Sequence, residues 1–94
     1  MPASRFEIIR NEILDQCYVH RPIPRDTERM VKVFHHDSDL EMKDASAAEF
    51  EREAAYLMGR GLIEAVADDR AKNHMRYRIT SAGIDQLESE GFRV

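Results

Sequence analysis

Apolar positions recur along the chain with two different periods, and each change of period marks a new element. In SRFEIIRNEILDQCYVH, Phe6, Ile9, Ile13 and Cys17 fall at i, i+3, i+7 and i+11, which is one face of a helix. Ser4 stands where an N-cap is needed, and Glu7 follows at capping-box spacing. RPIP closes this helix. Pro22 and Pro24 lack the amide hydrogens of a helix interior and push their predecessors towards extended geometry. DTERMVKVFHH predicts the second helix. Asp26 or Thr27 caps it, Glu28 suits its positive end, and Met30, Val33 and Phe34 form the buried stripe. In DSDLEMKDA, Leu40 and Met42 alternate with acids, which suits a very short strand or a loop. SAAEFEREAAYLMGR predicts the third helix, over 46–60. Ser46 and Glu49 make a second capping box, and Phe50, Ala54, Leu57 and Met58 line one face. Gly59 and Gly61 then supply the left-handed conformation that ends a helix.

The period switches to two directly after the glycines. LIEAVA predicts one strand. In HMRYRI, Met75, Tyr77 and Ile79 alternate with Arg76 and Arg78, which predicts a half-buried second strand. The polar loop DDRAKN returns one strand against the other as a hairpin. TSAGIDQLESEGF predicts a closing helix with Thr80 as N-cap, and Ile79 and Ile84 in the positions of a hydrophobic staple. The order is helix, helix, helix, hairpin, helix. No element of this size buries its apolar face alone, so the expectation is one shared core in a mostly helical α+β fold.

Composition narrows the class. Ninety-four residues make one domain. Hydrophobic content of 43% and charged content of 34% are ordinary for a globular chain. The mean hydropathy is -0.57. No apolar run approaches the ~18 residues of a membrane span, and charges interrupt the N-terminal stretch, so no leader is read there. One cysteine excludes an internal disulfide. These features suit a cytoplasmic protein without a membrane partner. The net charge of -4 is unevenly spread: residues 26–58 hold four basic and nine acidic side chains, and residues 59–80 hold five basic and three acidic. Only the second segment is basic, whereas nucleic-acid binding usually leaves a basic footprint on the whole domain.

The run YLMGRGLIE, a polar loop, and YRITSAGIDQLE together resemble the signature of winged helix-turn-helix regulators of bacteria. The resemblance covers residues 46–90. YVHRPIPRDTERMVKVF ahead of REAAYLMGRGLIE is similar, more narrowly, to small winged-helix proteins encoded by Mu-type phages and prophages. The resemblance implies a winged helix-turn-helix over residues 1–94: a three-helix bundle, a two-stranded hairpin wing and a C-terminal helix. It also implies a DNA-binding transcription regulator whose helix 46–60 lies in the major groove.

Carried onto this sequence, that helix shows Glu49, Glu51, Arg52, Glu53 and Tyr56 to solvent. Three acids to one arginine is poor chemistry beside phosphates, and Glu-Arg spacing also serves helicity alone. The wing is the better candidate. Arg70, Lys72, Asn73, His74, Arg76 and Arg78 cluster there with Arg60 nearby, and alternation puts Arg76 and Arg78 together on the outer face. Such a stripe suits phosphate or a minor groove. It also suits a strand edge guarded by charge, and Asp68 and Asp69 weaken it. The expected partners are double-stranded DNA and a second copy, paired through the first and last helices with Phe92 and Val94. The alternative is a basic protein docking on the acidic segment 26–58.

No catalytic constellation is read. Ser81, followed by Ala82 and Gly83, completes no nucleophile elbow. No P-loop or dinucleotide fingerprint occurs, and no cofactor is expected. His35, His36, Asp37 and Asp39 lack finger spacing and read as a solvated helix end rather than a metal site. Cys17 lies on an apolar stripe and reads as a small buried hydrophobe.

Overall fold

A computed structural model describes residues 4–21, 23–36, 42–67 and 75–90. The order is α1 (Arg5–Val19), β1 (Arg25–Asp26), α2 (Thr27–His36), α3 (Ala47–Gly59), β2 (Ile63–Ala67), β3 (Met75–Ile79) and α4 (Ser81–Glu90). The architecture is α+β and mostly helical. The sheet is three-stranded and antiparallel, in the order β1-β3-β2.

The caps form as the local chemistry dictates. Ser4 accepts from the Glu7 amide at 3.4 Å. Asp26 accepts from the Arg29 amide at 2.8 Å, so the aspartate is the cap of α2. Ser46 and Glu49 complete the capping box on α3. Thr80 accepts from the Gly83 amide at 3.1 Å and opens α4.

The end of α3 sets the placement of the sheet. The Gly61 amide donates to Met58 and the Leu62 amide to Leu57, the paired bonds of a Schellman motif. Only Gly61 takes the left-handed backbone, at φ 73°. Gly59 is instead the last helical residue, contrary to the expectation for both glycines. The Thr80 hydroxyl donates to the Gly61 carbonyl at 2.6 Å, and the Thr80 amide donates to Leu62. The exits of α3 and β3 are thereby tied together at the start of α4.

The core draws on every helix and on the sheet: Ile9, Ile13, Leu14 and Cys17 from α1, Met30 and Phe34 from α2, Phe50, Ala54 and Leu57 from α3, with Ile63, Tyr77, Ile79 and Leu87. Phe34 and Phe50 meet edge-to-face with centroids 4.9 Å apart, a favoured aromatic geometry.

Four apolar positions depart from the expected faces. Val33, expected in the buried stripe of α2, is only half-buried, while Met30 and Phe34 are buried. Phe6 is 48% exposed and Met75 46% exposed. Met75 therefore does not seal the sheet; Tyr77 and Ile79 do. Val66, expected with Ile63 to seal the sheet, is only half-buried, because Ile63 takes the inward register of β2 and Val66, three positions on, falls on the other face. The expected two-stranded ribbon gains β1, with Arg25 opposite Tyr77 and Asp26 opposite Arg76. Of the segment 37–45, residues 37–41 lie outside the described residues; Met42 is buried but belongs to no strand. No helix among the described residues is long and apolar enough to cross a membrane.

Candidate nucleic-acid interface

The face of α3 is decided by its contact with α1. Arg5 grips Glu49 with two bonds, Nε to Oε2 at 2.6 Å and Nη2 to Oε1 at 3.0 Å. That grip holds the Glu49 carboxyl down at about 2. One turn on, Glu53 is buried, and its Oε1 accepts from Arg10 Nε at 2.8 Å. The Arg10 guanidinium also stacks over the Tyr56 ring at 3.6 Å and over Phe6 at 4.8 Å. Glu49 and Glu53 were expected on the solvent face. They lie instead against α1, each neutralised by an arginine more than forty positions away.

The exposed positions of α3 and its C-terminal cap are Ala47, Ala48, Glu51, Arg52, Ala55, Tyr56, Gly59 and Arg60. They recur at i, i+1, i+4 and i+5, a continuous stripe. It holds one acid and two arginines, and its first turn is small. Among the described residues Arg52 has no hydrogen-bond or ion-pair partner. Arg60 donates to the Tyr56 hydroxyl at 3.2 Å, which steadies it at the helix end. Burial raises the Tyr77 phenol, and the Glu51 carboxylate raises it further.

The sheet offers less than expected. Arg78 lies opposite Glu64, with Nη2 at 2.7 Å and Nε at 2.8 Å from Oε1. Arg76 is half-buried and stands between Val66 and Asp26 in the register, so the two arginines do not form a matched outer stripe. Arg70, Lys72, Asn73 and His74 lie outside the described residues, as do Asp68, Asp69, Phe92 and Val94. The structure thus brings Arg52 and Arg60 onto one helix stripe and holds Arg78 in a cross-strand ion pair.

Other titratable groups are committed to the fold. His35, expected in a solvated helix end, is half-buried, and its Nε2 shares a hydrogen bond with the Ala45 carbonyl. Among the described residues no three His, Cys, Asp or Glu side chains group to hold a metal. Burial pushes the Cys17 thiol up to about 12, and its Sγ donates to the Tyr77 carbonyl at 3.7 Å. The thiol is therefore protonated at neutral pH and poorly nucleophilic.

Sequence reading missed Arg5 and Arg10 as partners of α3. The readable sign was the Glu49–Glu53 spacing of four, which puts both acids on one side of the helix. No protein-family model, curated protein or solved structure matches the chain.

Proposed function

We propose that the chain is a winged-helix DNA-binding protein, a transcription regulator that lays α3 into the major groove of a duplex. The observation that carries this reading is the charge of the α3 stripe. With Glu49 and Glu53 turned into the contact with α1, the outward face is net positive and opens with two alanines. Small side chains let a helix approach base edges, and Arg52 stands in the half of the helix where base contacts are made. Arg60, about two turns on, suits a backbone phosphate. The element order and the antiparallel β2–β3 pair beside α3 support the winged-helix assignment.

A second reading, docking of a basic protein, has one observation in its favour. Glu51, and Glu28 with Lys32 at 3.5 Å from it, flank a concavity of about 520 Å³ between α2, α3 and β3, whose apolar lining is Val31, Ala47 and the exposed Met75. The same experiment separates the two. Under the first reading, duplex binding at ~50 mM salt weakens steeply as salt rises, Arg60→Ala flattens the log–log slope by about 0.9, and Arg52→Ala costs about 1–3 kcal/mol of affinity for the preferred duplex. Absence of any duplex binding at that salt, with the protein folded by circular dichroism, overturns the first reading and leaves the second.

A further inference from the structure

Arginines that lie far apart in the sequence converge from three elements. Arg25 belongs to β1, Arg29 to α2 and Arg76 to β3, and with His20, Ile23, Pro24 and Asp26 they line a single concavity of about 300 Å³. A shallower neighbour shares Arg25 and Arg29 and adds Lys32 and His36. Among the described residues the sole acid in the lining is Asp26. Its Oδ1 caps the Arg29 amide, and its Oδ2 lies 3.7 Å from Arg29 Nε. Among the described residues the lining thus sets the guanidinium groups of Arg25 and Arg29 against one carboxylate, with Arg76 beside them.

Arg25 is positioned rather than loose. Gln16 is buried, at 5% exposure, and is fixed by its Nε2 donating to the Met30 carbonyl at 3.3 Å. Its Oε1 accepts from Arg25 Nε at 3.0 Å. That bond uses the inner nitrogen of Arg25. Among the described residues its two terminal nitrogens have no hydrogen-bond partner. A guanidinium held at its base, with its terminal donors unspent, is pre-organised for a tetrahedral oxyanion. The volume is at the lower end for a small-molecule site. The exposed Ile23, with Pro24, offers an apolar wall for an organic substituent.

We infer that this pocket binds a phosphoryl group carried by a small phosphomonoester. The site is separate from the α3 stripe. No lining residue lies on α3, and β1 occupies the sheet edge opposite β2, the strand that follows α3. The inference therefore stands whether or not α3 contacts a duplex.

The test is a titration of the isotopically labelled full chain with inorganic phosphate and with glycerol phosphate, at ionic strength held constant with sodium chloride. The expected result is saturable shifts of the Arg25, Arg29 and Arg76 amides, tighter for the ester. Arg25→Gln and Arg29→Gln each weaken binding by about tenfold, the loss of one charge-assisted contact. Arg29 is largely exposed, so its variant keeps the fold even where Arg25→Gln does not. Duplex affinity is measured on the same variants. Loss of phosphate binding with duplex binding unchanged supports the small ester as the ligand. Loss of both supports a phosphoryl site but makes a backbone phosphate its source. Linear, unsaturated shifts, or unchanged phosphate affinity in folded Arg29→Gln, overturn the inference.

Discussion

Glu49 illustrates how a single side chain changes meaning once its partner is known. Read along the sequence it is an acid on a helix meant for phosphates; in the fold it accepts two bonds from Arg5 and caps its own helix through Ser46. Those bonds, the arginine's first, lower its carboxyl from an ordinary 4.5 to about 2. A depressed carboxylate stabilises the folded state above its unfolded value, and the contribution fades as pH falls through the folded one. The window is therefore pH 4.5 down to about 2. Arg5 is 41% exposed, so solvent screening keeps the contribution small. Urea unfolding followed from pH 7 to pH 2 should show the effect as a difference between the wild type and Glu49→Gln. The variant starts slightly less stable at pH 7, and the gap closes within that window. A gap that stays constant to pH 2 would mean that the Arg5 pair does not form in solution. Local reading had no access to this, because the two partners lie forty-four positions apart in sequence.

At the level of elements, the legible parts were those whose signals are local. The capping box of α3, the Thr80 cap and the alternation in β3 each need only a few neighbouring residues, and each forms where the pattern puts it. β1 was not legible. Two residues carry no period, and their pairing with Tyr77 and Arg76 is long-range. The inward face of β3 was legible only in part. Alternation placed Met75 with Tyr77 and Ile79, but Met75 lines the open concavity beside α2 and α3 and is left exposed. Gly83 shows where local reading would give the wrong sign. In the first turn of α4, alanine outranks glycine by about 1 kcal/mol on helix propensity. A β-carbon there would lie 2.2 Å from the Leu62 carbonyl oxygen and 2.7 Å from Ile79 Cγ1. The Leu62 carbonyl is backbone, held by the Thr80 amide at the end of α3, and has no room to retreat. Overpacking of this kind costs about 1–3 kcal/mol or more. Gly83→Ala should thus lower the urea midpoint and drop the Tm by several degrees, since about 1 kcal/mol moves a domain this size by roughly 4–8 °C. A variant as stable as the wild type would show that α4 does not approach the junction this closely.

Across the whole molecule, a net charge of -4 has to coexist with any grip on phosphate. The fold answers part of this by pairing acids internally, Glu49 with Arg5 and Glu53 with Arg10, which leaves the α3 stripe positive. The same pairing works against the sheet, where Glu64 holds Arg78. Both side chains are about half exposed, so their bond adds at most about 1 kcal/mol to stability. Its larger effect is electrostatic. While the pair persists, Arg78 brings no net charge to a duplex and releases no counterion of its own. If the proposed duplex lies along both α3 and the sheet, Glu64→Gln uncovers that charge at little cost to the fold. Affinity should rise, and the log–log salt slope should steepen by up to about 0.9, the amount for one further phosphate contact. Arg78→Ala in the wild-type background should leave the slope nearly unchanged, and in the Glu64→Gln background it should cancel the gain. Fluorescence anisotropy with one duplex across a salt series reads all four proteins. A slope indifferent to Glu64→Gln would remove Arg78 from the contact and confine the duplex to the α3 stripe. A slope flattened by Arg78→Ala alone would mean that phosphate outcompetes Glu64, and that the cross-strand pair opens when the duplex arrives.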